Sequence, residues 1–241
     1  EGEKIKPGFA FHQIRLVIPP IKIDEIDSIP ERLNRLLREF LPCDCCFYFQ
    51  PLDFANFPFS LPEKWSQDPY HFVLLKALQK ESPFGWQFVY ELTKTSGTYV
   101  HFEIDFSSER EFILKLVNYF NSPEGINRFK LFINQERMEL WRKPWTDLKR
   151  RPYFWRFVSW REMKLFINKI PRLLKKENSG LEVDLKSFSY LGDPLSEETI
   201  WWLCRPRKSL GTIELRFGDS MEFRMIPTYI SLLKKTIEEL Y

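Results

Sequence analysis

At 241 residues the chain is long enough for one sizeable hydrophobic core or two small ones, and no Gly/Ser-rich or Pro-rich tract divides it, so a single domain over 1–241 is expected. A net charge of +3 argues against a strongly electrostatic nucleic-acid binder while leaving room for a local basic patch. No apolar run approaches a membrane span and the opening residues EGEKIKPG lack the apolar stretch of a secretory signal, so a cytoplasmic location without a membrane partner is expected.

A first strand is predicted over 9–18, FAFHQIRLVI. Ser28, Ile29, Pro30 and Glu31 have the form of a capping box with Pro in the first turn. They open a helix whose apolar face is Leu33, Leu36, Leu37 and Phe40. Residues 45–50 predict a strand, followed by an irregular stretch with Pro51, Pro58 and Pro62. The cluster of Cys43, Cys45 and Cys46 lacks a second pair at zinc-finger spacing; running directly into FYF, it reads as a buried strand carrying small thiols. Asp68-Pro69 starts a helix to about Lys80, with Phe72, Leu75 and Leu78 inward. Residues 86–92 and 99–106 predict strands, joined as an antiparallel hairpin by the Thr-Ser-Gly turn at 95–97.

Ser108, Glu109, Arg110 and Glu111 form a second capping box, with Phe112, Leu116, Tyr119 and Phe120 following at helical spacing. Residues 131–133 predict a short strand, and 141–157, rich in Trp, Arg, Lys and Pro, an ordered but irregular segment. A third capping box at Ser159–Glu162 opens a helix with Met163, Phe166, Ile167 and Ile170 that Pro171 ends. Strands follow at 181–188 and 211–217. Thr228 caps a last helix with Ile230, Leu233, Ile237 and Leu240 on one side. Interleaved strands and helices with a hairpin and no Gly-rich phosphate loop favour α+β over a doubly wound sheet.

The segment GTIELR, Gly211–Arg216, is the strongest lead to function. Side chains alternate along a strand, so Ile213, Leu215 and Phe217 share one face while Glu214 and Arg216 share the other. Burying that charged face requires partners such as a metal ion, a phosphate or an anionic substrate. On the strand at 99–105, Tyr99, His101, Glu103 and Asp105 share a face. A His with two carboxylates suits Mg²⁺ or Mn²⁺, and the same alternation suits a half-solvated antiparallel sheet. If both strands lie on one sheet face, carboxylates for a metal and arginine for phosphate oxygens come together.

The basic aromatic segment 141–156 offers two readings: stacking of nucleic-acid bases, or a surface loop with Trp anchors in the core and solvated basic tips; the small net charge favours the second. His12 and His71 are isolated, and there is no nucleophile elbow, dinucleotide fingerprint or Walker loop.

The C-terminal run WWLCRPRKSLGTIELRFGDS resembles the carboxylate–amine ligases of the glutamate–cysteine ligase type, whose pattern is approximately Trp-x-x-Arg-Pro, then Gly-Thr-(Ile/Val)-Glu-(Leu/Val)-Arg-x-x-Asp. Arg205, Pro206, Gly211, Thr212, Glu214, Arg216 and Asp219 match it. Upstream, TSGTYVHFEID is similar to the family's Gly-x-His-Val-His strand and FVSWREMKLFI to its Ser-Trp-x-Glu/Gln-Phe helix. The resemblance covers roughly 90–241 and is most specific at 201–219. It implies a glutamine-synthetase-like fold, a curved antiparallel sheet with helices packed on one face. It also implies ATP and Mg²⁺ as cofactors: a glutamate carboxylate is phosphorylated and an amine attacks the acyl phosphate. On this carry-over Glu214, His101 and Glu103 hold the metal, while Arg205, Arg216 and Thr212 face phosphate or carboxylate groups.

The chain departs from the family at two places. Tyr99 stands at the first His of the His-Val-His pattern, and the opening strand FHQIRLVI carries Arg15 and no carboxylate where a Glu-x-Glu pair is expected. Two readings therefore stand beside each other. One is a divergent ATP- and Mg-dependent ligase taking small carboxylate and amine substrates. The other is a catalytically inactive relative serving as a binding or scaffolding subunit, with a protein partner or as a homo-oligomer. A nucleic-acid-binding module using 141–156 is a third.

Overall fold

In a computed structural model, the described residues are 3–7, 14–40, 69–81, 97–142, 148–150, 155–177 and 180–241. The predicted strands at 45–50 and 86–92, the three clustered cysteines, His12 and most of the basic stretch after Arg142 lie outside them.

Strands β1 (Lys4–Pro7) and β2 (Ile14–Val17) pair antiparallel, so the expected first strand appears in its second half with a partner not anticipated. A 3₁₀ turn at Ile23–Ser28 runs straight into helix α1 (Ile29–Phe40), which buries Ile29, Leu33 and Leu36 along one stripe. Ser28 is the last residue of that 3₁₀ turn, and its hydroxyl donates to the Glu25 carbonyl at 2.6 Å rather than capping the first turn of α1. Helix α2 (Pro69–Glu81) begins at the expected Pro and buries Leu74, Ala77 and Leu78.

Strand β3 (Gly97–Glu103) leads into α3 (Arg110–Phe120), which buries Ile113, Leu114, Leu116, Val117 and Phe120. The second capping box also differs from expectation. Asp105 organises the turn by accepting the Ser107 N–H at 2.8 Å and both the Ser107 and Ser108 hydroxyls at 2.6 Å, while the Asp105 N–H donates to Glu109. An upstream carboxylate at the turn claims the hydroxyls before they can cap.

Helices α4 (Pro123–Arg128) and α5 (Gln135–Arg142) follow. Between them Lys130–Phe132 is a 3₁₀ turn rather than the predicted strand. Phe129 and Phe132, three residues apart, both face the core while Leu131 is 87% exposed, the pattern of a three-residue turn. The third capping box forms: Ser159 accepts the Glu162 N–H at 3.1 Å at the start of α6 (Trp160–Ile167), and Glu162 reaches back to the Val158 N–H at 2.7 Å.

A hairpin of β4 (Leu174–Glu177) and β5 (Gly180–Val183) follows. The strand expected to run to 188 stops early because Asp184 accepts the N–H groups of Lys186 and Ser187. Helix α7 (Pro194–Glu198), capped by Asp193, precedes β6 (Cys204–Arg207) and β7 (Thr212–Asp219). Gly211 makes the turn between those strands at φ +66°, a left-handed conformation that glycine adopts without steric cost. Helix α8 (Ile226–Leu240) starts two residues before Thr228, with Pro227 in its first turn.

The strands form small antiparallel sheets, and the fold is α+β. The central sheet has the order β3-β7-β6. One face carries Ile213, Leu215 and Phe217, each at most 1% exposed. It packs on α3 and α8 through a cluster of rings: Phe217 lies 5.5 Å from Phe120, 4.9 Å from Phe129 and 6.1 Å from Tyr229. Asn121, at the end of α3, fastens β6 to the helix. Its Oδ1 accepts from the Leu203 and Cys204 N–H groups, and its Nδ2 donates to the carbonyls of Cys204 and Val117. No helix among the described residues is long and apolar enough to cross a membrane.

Candidate functional site

The other face of the central sheet gathers the residues picked out from the sequence. Antiparallel register sets His101 opposite Glu214 and Glu103 opposite Thr212 on one side, and Arg205 opposite Glu214 and Arg207 opposite Thr212 on the other. Glu214 thus sits at the centre of a row running from His101 to Arg205. Between Thr98 and Val100 the register slips: Thr98 faces Gly218 and Val100 faces Leu215, so Arg216 and Phe217 share the span opposite Tyr99. The two sequence leads, more than 100 residues apart, lie on one face of one sheet.

Glu214, 3% exposed, is enclosed by cations. Its Oε2 accepts from Arg205 Nε at 2.8 Å and from Arg207 Nη1 at 3.2 Å; Arg205 Nη2 lies 2.7 Å from the same oxygen and Arg216 Nε 3.4 Å from Oε1. Burial acts to raise the Glu214 pKa, but the charges of Arg205, Arg216, His101 and Arg207 outweigh it, and the carboxyl is held well below its ordinary range. Arg205 also donates through Nη1 to the carbonyls of Glu197, Glu198 and Ile200 at 2.7–2.8 Å. Burial, reinforced by Arg216, lowers the Arg205 pKa to about 10 against the pull of Glu214, which leaves it charged at neutral pH.

Arg207 continues the network to Glu198 at 3.2 Å and toward Glu197 at 3.9 Å. Glu197 is fully buried and accepts the N–H groups of Gly192 and Ser209 and the Ser209 hydroxyl. His101 bridges Thr212 and Glu214, with Nδ1 3.1 Å from the Thr212 hydroxyl and Nε2 3.9 Å from Glu214 Oε2. Burial, with Arg207, Arg205 and Arg216, outweighs Glu214 and lowers its pKa.

Arg216 is held differently. Its Cζ lies 5.0 Å from the Tyr99 ring centre, 5.2 Å from Trp141 and 5.4 Å from Trp201, an arrangement of cation–π contacts. Its Nη1 reaches the Ile200 carbonyl only at 3.5 Å, and its Nε is buried without a hydrogen bond. Behind it Arg137, fully buried, donates to Asp219 at 2.6 Å and to the carbonyls of Phe217 and Arg216 while stacking on Trp141 at 4.1 Å.

Of the residues expected at a metal, Glu214 and His101 come together, while Glu103 lies at the exposed end of β3 opposite Thr212. Among the described residues no three His, Cys, Asp or Glu side chains group as metal ligands. Glu214 already spends Oε2 on two guanidiniums with a third at Oε1, and three positive side chains repel a dication, so this set does not fit Mg²⁺.

Compared with family models, curated proteins and solved structures, the chain matches none.

Residues that sequence reasoning missed complete the site. Arg207 stands two places after Arg205, the same alternation that marked Glu214 and Arg216, and was legible. Arg137 and Glu197 reach the sheet from helices, where no strand pattern announces them. Trp141 and Arg150, both in the basic aromatic segment, are 1% and 0% exposed. Arg150 serves the interior, bonding the Thr199 and Pro171 carbonyls and Glu81, so neither residue is presented to a nucleic acid.

Proposed function

We propose that the chain is a non-catalytic relative of the carboxylate–amine ligases of the glutamate–cysteine ligase type, serving as a binding or scaffolding subunit on a glutamine-synthetase-like fold. The observation that carries this reading is the engagement of Glu214 by Arg205 and Arg207. The residue that resembles the family's metal-holding acid is the buried counter-ion of an arginine cluster. Tyr99 in place of a histidine and the opening strand without a carboxylate support the same reading. Calorimetry with ATP and Mg²⁺ tests it. No Mg²⁺-dependent heat and no ATP turnover with glutamate and amines are expected, and purification from the native source should retain a stable partner. Mg²⁺-dependent turnover by the isolated chain would overturn it.

The second reading, a divergent ligase acting through an acyl phosphate, draws support from one feature: His101, Thr212, Glu214, Arg205 and Arg216 share a single sheet face. The same calorimetric experiment decides between the two.

A further inference from the structure

We propose that a cavity between the apolar face of the central sheet and helices α3 and α8 is a binding site for a small, uncharged, apolar molecule. It lies on the side of the sheet away from Glu214 and its arginines, and depends on neither reading of that cluster.

The cavity measures about 100 Å³. Leu116 and Phe120 of α3, Ile213 and Leu215 of β7, Phe102 of β3 and Ile237 of α8 line it. The first four are each at most 2% exposed, so its floor is core. Interiors leave few voids larger than a water molecule, and the same sheet face shows what full packing looks like. At Phe217 the rings of Phe120, Phe129 and Tyr229 crowd in at 4.9–6.1 Å. Toward Ile213 the strand offers aliphatic side chains instead, and space remains between strand and helices. Walls of this kind give a water none of the several polar neighbours it needs, and an apolar void of roughly 150 Å³ takes up benzene or xenon instead.

The cavity reaches the surface on one side. Of its lining, Phe102, Phe112, Ile237 and Glu109 are half-buried and Glu103 is exposed, so the way in from solvent runs between the end of β3 and the two helices. Tyr241, 81% exposed, packs edge-on against Phe112 at 4.9 Å and stands beside that rim without lining the void. The ionisable residues at the cavity are both acids, Glu103 and Glu109, and among the described residues no Lys or Arg lines it. Glu109 turns one oxygen to the Asp105 N–H. The carboxylate of a fatty acid would therefore lose its water and meet like charge, whereas an uncharged apolar ligand gains by leaving water.

The test is NMR of the methyl groups of the full chain, titrated separately with xenon, n-butanol and butyrate at fixed ionic strength. Xenon and n-butanol are expected to shift the resonances of Leu116, Ile213, Leu215 and Ile237 saturably and to leave those of Leu78 and Leu174, buried elsewhere, in place. Butyrate is expected to bind about tenfold more weakly than n-butanol. Leu116→Phe, which fills the void, should weaken xenon binding about tenfold. Ile237→Phe fills it from the half-buried rim and gives the same readout if the Leu116 variant does not fold. Shifts that do not saturate, that reach Leu78 and Leu174 equally, or that persist undiminished in a folded filled variant would each overturn the proposal, as would butyrate binding as tightly as n-butanol.

Discussion

Arg205 holds Glu214 from the neighbouring strand with two nitrogens on one oxygen, Nε at 2.8 Å and Nη2 at 2.7 Å. The two residues are register partners, so the contact is built into the sheet itself. Removing one member of a buried pair leaves the other charge uncompensated, at about 3–5 kcal/mol. Glu214→Gln keeps the shape and removes the charge that three guanidiniums share. Urea denaturation is expected to show a loss of that order, because the carboxylate is structural. A variant as stable as the original chain would mean that the charge is not needed by the fold.

A close approach makes Gly97 a second sensitive point. A Cβ there would lie 2.4 Å from Arg137 Nη2 and 2.9 Å from the Gly218 carbonyl oxygen. Backbone cannot give way cheaply, and Arg137 is committed to Asp219. Gly97→Ala is expected to destabilise by about 1–3 kcal/mol, measured by thermal or urea unfolding. Ala at an open, exposed strand site would serve as the control.

The three capping boxes separate sharply. Ser159→Ala is expected to cost about 1 kcal/mol, the ordinary worth of an N-cap acceptor, because Ser159 accepts the Glu162 N–H. Ser28→Ala is expected to cost only a few tenths, since Ser28 caps nothing and its hydroxyl donates to Glu25. Equal losses in the two variants would contradict these assignments.

Acid titration has a definite sign. Hydrogen bonds from Ser107 and Ser108 lower the Asp105 pKa from 3.8 to about 2. Between those values the unfolded chain binds more protons than the folded one, so stability falls as pH falls. Glu214, also held below its ordinary value, adds loss of the same sign below pH 4.5. Burial raises the Asp219 pKa despite Arg137; its contribution is full below pH 3.8 and fades as pH rises through the folded value. Carbon-detected NMR of Asp105 should give a midpoint of about 2, and Asp105→Asn should flatten the pH dependence of unfolding between 3.8 and 2.

Much of the candidate site was legible because its two strands alternate cleanly. Ile213, Leu215 and Phe217 against Glu214 and Arg216 is a period-two pattern that only a strand explains, and the structure buries the first set as read. What alternation cannot encode is which strands are neighbours. The pairing of His101 with Glu214 is set by long-range burial and by the register slip at Tyr99, neither of which leaves a local mark. Polarity was also ambiguous in kind: Glu214 beside Arg216 reads equally as a metal ligand or as a counter-ion. Only the arrival of Arg205 and Arg207 from β6 decides between them. The missed α4 and α5 have the opposite cause. They are short, and α4 is fixed by the Ser122 cap and Pro123 rather than by any long apolar repeat; α5 carries Arg137 buried where an apolar residue would be expected.

Asn121 uses both ends of its amide: the oxygen takes two N–H groups and the nitrogen gives to two carbonyls. Hydrolysis of this amide, with water taken up and ammonia released, would turn the donor into a second oxygen aimed at the Cys204 and Val117 carbonyls, with little change in size. The joint between α3 and β6 therefore depends on an uncharged amide. A chain carrying Asn121→Asp should melt lower than the unaltered one although every atom position is still filled, and the fault would begin beside the strand that presents Arg205 and Arg207.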